Sequence, residues 1–154
     1  YAAYNNIYSL YLVRHLLGET FIVEGDVFHT RNLFLDRPQK SSYFIGPRSN
    51  AQNEWAVSCD PAGRITRIEV ASGDLHILTG VSLLKARESA QVAAYLEEYI
   101  EHRDFADLFW DHIMMENIAE IEVYCHPIGK DDWREIDRIE DIESAEKLTL
   151  YQST

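Results

Sequence analysis

The sequence predicts an α/β fold, a central block of β-strands with helices before and after it. Two observations carry this. The run Phe21-Ile22-Val23 is uniformly apolar and ends abruptly on Glu24-Gly25-Asp26, the signature of a strand covered on both faces that stops at a crevice. Helical apolar spacing, by contrast, is confined to the segments that flank the strand-rich middle of the chain. No repeat and no Pro/Gly linker divides the sequence, so residues 1–154 are expected to form a single domain.

The first helix is expected to start at Asn5 or Asn6, either of which can cap it, and to close at Gly18. Ile7, Leu10, Tyr11 and Leu17 follow one face, widened by Tyr8, Leu12, Val13 and Leu16. A strand over 20–24 and a helical turn over 32–36 come next, then a strand over 42–46. Strands over 54–59 and 64–70 flank Asp60-Pro61-Ala62-Gly63, whose residue types suit a hairpin loop, and a further strand spans 77–84. A long helix over 86–102 turns Val92, Leu96 and Tyr99 inward, and a second begins near Asp104 with Phe105, Leu108, Phe109 and Ile113 as its inner stripe. Ile121, Val123 and Cys125 alternate with Glu120 and Glu122 as in a half-exposed strand. A short extended piece over 134–137 leads to a last helix from about 140, carrying Ile142, Ala145 and Leu148.

Composition narrows the function. With 14 basic and 26 acidic residues the formal charge is −12, which argues against nucleic acid or an anionic membrane as partner. No apolar stretch reaches the ~20 residues that span a bilayer. Cys59 and Cys125 have no motif spacing and are read as two buried thiols in a reducing cytoplasm.

Two carboxylate groups carry candidate chemistry. Gly25 lets the chain turn at the strand end, and Asp26 then projects a hard anionic oxygen into the crevice; an ordinary turn is the alternative for the same residues. In Glu135-Ile136-Asp137, period-two geometry sets Glu135 and Asp137 on one side of an extended segment, where Asp26 and Asp137 could share a Mg²⁺. The alternative is that Glu135, Asp137, Glu140 and Asp141 decorate the start of the last helix. Trp55, after Asn53-Glu54, and the run Phe109-Trp110-Asp111 place aromatic faces beside acids, as in cages for quaternary ammonium groups; core packing is the alternative for Phe109. The six histidines are scattered without ligand spacing, and Thr79-Gly80-Val81-Ser82 is a strand with a close-approach glycine instead of a phosphate loop.

Taken in order, Tyr4-Asn5-Asn6-Ile7-Tyr8-Ser9-Leu10-Tyr11-Leu12, Glu24-Gly25-Asp26, Asn53-Glu54-Trp55, Ile77-Leu78-Thr79-Gly80-Val81-Ser82, Phe109-Trp110-Asp111 and Glu135-Ile136-Asp137 resemble the C-terminal part of bacterial CTP:phosphocholine cytidylyltransferases, within the nucleotidyltransferase-like family. The resemblance implies a Rossmann-like mixed sheet with flanking helices, the C-terminal portion of a nucleotidyltransferase fold. It implies a Mg²⁺-dependent enzyme that moves CMP from CTP to a phosphorylated amino alcohol, phosphocholine first, with pyrophosphate released. Asp26 and Asp137 match the catalytic, metal-binding aspartates, and Asn5 and Asn6 the segment lining the nucleotide site. Trp55 matches the aromatic wall of the choline pocket, with Phe109, Trp110 and Glu135 as companions.

The sequence departs from the family pattern in Glu24, where relatives often carry an aspartate, and in Phe109, where a tyrosine is more usual. It also lacks the Gly-rich, Arg-containing loop with which family members wrap the triphosphate. The chain is therefore expected to be an incomplete nucleotidyltransferase domain, inactive alone, that pairs with the N-terminal segment or with a second copy of itself. The alternatives are 2-aminoethylphosphonate, phosphoethanolamine or a sugar phosphate as acceptor, or a non-catalytic binding or assembly domain of the same fold. The phosphate acceptor is already ionised near neutral pH, so the chemistry needs no Ser, Cys or His nucleophile and rests on positioning and charge neutralisation.

Overall fold

A computed structural model describes residues 4–152 of the chain. Helix α1 (Asn6–Leu12) runs into a 3₁₀ turn over Arg14–Leu16, so it stops short of Gly18. Ile7 and Leu10 are buried, whereas Leu12, Val13 and Leu16, expected on the apolar face, are exposed. Strand β1 (Thr20–Val23) is followed by β2 (Val27–His29), which the sequence did not predict, and by the expected turn at Leu33–Leu35. There the Asn32 side chain accepts the Phe34 N–H at 3.1 Å.

The four strands expected between 42 and 84 are two long ones, β3 (Ser42–Cys59) and β4 (Ile65–Leu84). They pair antiparallel along their length, with register shifts around Asn50 and Asn53, both at positive φ. Those residues bend the ladder without ending it, which is why turn-like residues inside 47–53 did not mark a boundary. Asp60 builds the hairpin loop, its carboxylate accepting the N–H groups of Ala62 and Arg64 at 2.9 Å, while Gly63 sits at φ +81°.

Helix α2 (Ala86–His102) has the expected bounds and buries Val92, Leu96 and Tyr99. Helix α3 (Asp111–Asn117) begins later than expected; residues 104–110 are turns and irregular chain. Strand β5 (Tyr124–Pro127) starts after the expected position, and Ile121 and Val123 are fully buried ahead of it. Strand β6 (Trp133–Glu135) and helix α4 (Ile139–Gln152) close the chain. Ala145 is buried as expected and Ile142 is exposed; Leu148 lies outside the described side chains.

The main sheet has the order β1-β4-β3-β5, with β3 and β5 parallel and the other pairs antiparallel; β2 and β6 form a separate antiparallel pair. The mixed α/β architecture with flanking helices is thus present. The strand covered on both faces is the start of β3: Tyr43 and Ile45 join the core under α1, α2 and α3, while Phe44 joins a second core with Leu33, Ile77, Val81 and Trp133. Strand β1 was expected in that central position; it is an edge strand, paired only with β4 and half-buried.

Cys59 and Cys125 are not separate buried thiols. They are joined as a disulfide with Cα atoms 6.9 Å apart, Cys59 exposed and Cys125 half-buried. The hairpin end brings them together: the Gly63 carbonyl accepts the Cys125 N–H at 2.8 Å, and the Ile65 N–H donates to Val123 at 2.8 Å. No helix among the described residues is long and apolar enough to cross a membrane.

Candidate acceptor-binding site

Strands β3, β4 and β6, the residue after β1 and the start of α3 meet at one small cavity. Tyr43, on the buried start of β3, donates its hydroxyl to Asp111 Oδ1 at 2.8 Å, and its ring stacks on Trp110 with centroids 5.6 Å apart. Trp110 and Asp111 stand where irregular chain enters α3, and Asn6 of α1 fixes that entry by accepting the Trp110 N–H at 2.9 Å. The same Asn6 amide faces Glu24 Oε1 at 3.4 Å. Glu24 follows β1 and lies against Gly80 of β4, whose carbonyl accepts the Glu24 N–H at 2.9 Å. A Cβ at Gly80 would stand 2.7 Å from Val27 Cγ2 and 3.1 Å from Glu24 Oε2, at a backbone φ of +71°. The glycine is what allows Glu24 to enter the cavity.

Glu54 and Trp55 from β3, together with Glu135 at the end of β6, complete the wall. The enclosed space is about 70 Å³, room for several waters or one small polar head group. The cavity therefore presents the carboxyls of Glu24, Glu54, Asp111 and Glu135 beside the rings of Tyr43, Trp55 and Trp110.

The electrostatics are one-sided. Burial, reinforced by Glu24, pushes Asp111 up to about 7 against a hydrogen bond from Tyr43 that holds it down. Burial, with Glu54, Asp137 and Asp26 adding to it, pushes Glu135 to about 7 against the opposing effect of Arg48. Glu24 is raised by burial and by Asp26. Arg48 Nη2 lies 3.7 Å from both Glu54 and Glu135, beyond hydrogen-bond reach and partly exposed. Acids raised by burial, with no cation hydrogen-bonded to them among the described residues, mark a cavity suited to a positive group.

A wider cavity of about 570 Å³ adjoins the first and shares Glu24 and Trp110 with it. Asn6, Ser9 and Leu10 of α1, Ile22 and Val23 of β1, and Gly25 and Asp26 also line it. The Ile136 N–H donates to the Asp26 carbonyl at 2.8 Å, continuing the β2–β6 ladder by one bond and bringing Asp26 beside the segment that carries Asp137. Both aspartates are exposed, and among the described residues neither carboxylate has a hydrogen-bond or ion-pair partner. Among the described residues no three His, Cys, Asp or Glu side chains gather as a metal set. Two free carboxylates on adjoining segments still fit Mg²⁺, which usually keeps waters and substrate phosphate oxygens as its other ligands.

Of the residues singled out from sequence, Trp55, Trp110 and Glu135 line the small cavity, and Asn6 and Asp26 the wider one. Asn5 precedes α1 as its cap position, with its N–H bonded to Ala106 at 3.3 Å instead of to a site. Phe109, expected beside Trp55, is 41% exposed and stands outside the cavity, stacked on His112, which in turn meets Trp55 edge-on at 4.8 Å. The register correction at α3 explains this: in a helix from Asp104, Phe109 would face inward, but the turn held by Asn6 presents Trp110 and Asp111 instead. Asp137 is exposed while Glu135 is half-buried, because β6 ends at Glu135 and period-two alternation stops there. Glu54 and Asp111 entered the sequence reading only as acids beside chosen aromatics, and Tyr43, whose position has no local signal, was missed.

No family model matches the chain. It is 31% identical to a choline-phosphate cytidylyltransferase of Streptococcus pneumoniae over 96% of its own length and 65% of the relative's. It is 29% identical to a 2-aminoethylphosphonate cytidylyltransferase of Lancefieldella rimae over 98% of its length and 63% of that protein's. A solved structure of a CTP:phosphocholine cytidylyltransferase from Streptococcus pneumoniae superposes with a TM-score of 0.89 at 31% identity, covering 96% of this chain and 65% of that one. The chain thus spans a little under two thirds of the length of these relatives.

Proposed function

We propose that this chain, which is homologous to choline-phosphate cytidylyltransferases, carries the acceptor end of a cytidylyltransferase that moves CMP from CTP to a phosphorylated amino alcohol, phosphocholine foremost. Because the chain spans less than two thirds of its relatives, the activity is proposed for the whole protein. The observation that carries the reading is the small cavity, four carboxyls interleaved with three aromatic rings. A trimethylammonium group donates no hydrogen bonds, so it is held by ring faces and by diffuse attraction to acids. Trp55 and Trp110 supply the faces, and Glu24, Glu54, Asp111 and Glu135 the charge.

With the cation seated there, the acceptor's phosphate extends past Glu135 toward Asp26 and Asp137, whose charges both act on the Glu135 carboxyl. Asp26 and Asp137 would hold Mg²⁺, which would neutralise charge between two anionic reactants and orient the α-phosphorus for in-line attack. The chain's own part is to hold the ammonium and fix the direction of the phosphate, whose attacking oxygen is already ionised near neutral pH. A second reading has its own support: a primary ammonium, as in 2-aminoethylphosphonate, can donate hydrogen bonds to those same four carboxyls.

The test is pyrophosphate release by the whole protein with CTP, Mg²⁺ and, in turn, phosphocholine, phosphoethanolamine and 2-aminoethylphosphonate. Phosphocholine is expected to react fastest, and Trp55→Ala to raise its KM by roughly 5–30-fold, from ~1–2 kcal/mol of lost cation–π contact, with less effect on CTP. Asp26→Asn and Asp137→Asn are expected to lower kcat severely in the same assay. Equal wild-type rates with all three acceptors would remove choline from the assignment, and a uniform loss on Trp55→Ala would reduce Trp55 to a packing residue.

A further inference from the structure

His112 stands outside the small cavity but touches one of its walls. Its ring meets the Trp55 indole with centroids 4.8 Å apart and planes at 88°, an edge-on aromatic contact. Trp55 lies on β3 and His112 in the first turn of α3, so the contact joins two elements distant in sequence. The imidazole is itself fixed by its neighbourhood. Its Nδ1 accepts the Phe109 N–H at 3.0 Å, and its ring lies at 14° to the Phe109 ring with centroids 6.0 Å apart. A side chain that reaches back to an N–H just ahead of its own helix is held in the manner of a capping box.

Trp55 needs such a support. It follows Asn53, at φ +55°, and lies just beyond the register shift between Ala51 and Glu54, where the β3–β4 ladder is irregular. Its indole is half-buried, packed in part on the main core and in part lining the cavity. An indole free to change rotamer would present the cavity with the right face for only part of the time. The ligand would then bear the cost of ordering it.

We propose that His112 is a positioning residue for the acceptor: it does not touch the ligand, and it holds the Trp55 ring in the orientation that meets the ammonium group. The inference rests on the acceptor-site reading above. It also gives Phe109 a part, since from outside the cavity Phe109 steadies the imidazole that steadies Trp55. Other roles for His112 predict differently. A residue that merely supports the fold would affect both substrates. One that met the acceptor directly would act whether or not Trp55 is present.

The test is a double-mutant cycle on the whole protein, read as the KM for phosphocholine, the KM for CTP and kcat. His112→Gln keeps an acceptor for the Phe109 N–H and removes the ring. It is expected to raise the KM for phosphocholine about 2–10-fold, the range of an edge-on aromatic pair, and to leave kcat and the KM for CTP within about 2-fold of wild type. In a Trp55→Ala background the same substitution is expected to change the KM for phosphocholine by less than about 1.5-fold, since no indole is left to hold. His112→Phe, which keeps a ring and loses the nitrogen, is expected to recover most of the affinity. An unchanged KM in His112→Gln overturns the inference. So does an equal rise in both backgrounds, a rise shared by the KM for CTP, or no recovery in His112→Phe. If Trp55→Ala leaves the KM for phosphocholine unchanged while phosphocholine still reacts, His112 has nothing to position and the inference falls with the reaction intact. If the whole protein releases no pyrophosphate with any of the acceptors, the acceptor-site reading falls and takes this inference with it.

Discussion

Asp111 shows at a single residue how the site is made. Its carboxyl is buried at the start of α3, held by the Tyr43 hydroxyl and faced by Glu24, and its pKa rises from an ordinary 3.8 to about 7. Glu135, raised to about 7 by burial and by Glu54, behaves alike across the cavity. An acid whose folded pKa stands above its unfolded value adds stability that is complete below the unfolded value and is lost as pH rises through the folded one. Between about pH 4 and 7 the ligand-free protein should therefore lose part of its stability as these buried acids ionise, Glu135 with only a loose contact to Arg48. A cationic acceptor reverses that cost, since it favours the ionised forms. The Tm gained on adding phosphocholine should then be larger at pH 8 than at pH 5, with affinity falling by up to about tenfold per pH unit for each proton displaced. Asp111→Asn, which can keep the Tyr43 contact without the charge, should flatten this dependence. A ligand-induced Tm shift that is the same at both pH values would show that neither acid faces the bound group.

At the scale of elements, the β1–β4 edge and the entry to α3 decide whether the cavity exists. Gly80 lets the Glu24 side chain lie on β4, and a Cβ there meets Val27 and Glu24 at φ +71°. Gly80→Ala should cost about 1–3 kcal/mol of stability and displace Glu24 from the wall, read as a lower Tm together with weaker phosphocholine binding. An unchanged Tm would mean that the strand accommodates the methyl group. The sequence carried some of this architecture plainly. Helix α2 was legible to the residue because Val92, Leu96 and Tyr99 recur at helical spacing. Gly80 was legible as a close-approach glycine inside a strand. Helix α3 was placed too early because Phe105 and Leu108 also fit a helical stripe, while what ends that stripe is a bond from Asn6, far away in sequence. The long hairpin was read as four strands because Asn50, Asn53 and Gly73 look like turn residues, and bulges use the same conformations as turns. Strand β6 was anticipated as a short extended piece over 134–137, whereas its partner β2 was missed because a strand of three residues holds too little periodicity to see.

At the scale of the whole molecule, function depends on bringing together residues that are distant in sequence. Glu24 follows β1, Glu54 and Trp55 lie on β3, Asp111 opens α3 and Glu135 ends β6, yet all line one cavity. Trp55 and Trp110 were legible because each sits beside an acid in the chain. The acids themselves were less so, since an Asp or Glu on a protein with 26 of them carries little information until burial singles it out. Tyr43 shows the limit most clearly: its strand reads as core, and only the tertiary contact with Asp111 and Trp110 makes it a floor for the site. Glu135 lines the small cavity and also feels the charges of Asp26 and Asp137, and the proposed function uses these as the places for the two ends of a zwitterionic ligand. The most direct measurement is the crystal structure of this chain with phosphocholine bound. The account predicts the trimethylammonium group between Trp55 and Trp110, facing Glu24 and Asp111, with the phosphate directed past Glu135 toward Asp26. Phosphocholine seated elsewhere, or seated there with its phosphate in the acid cavity and its ammonium in solvent, would contradict it.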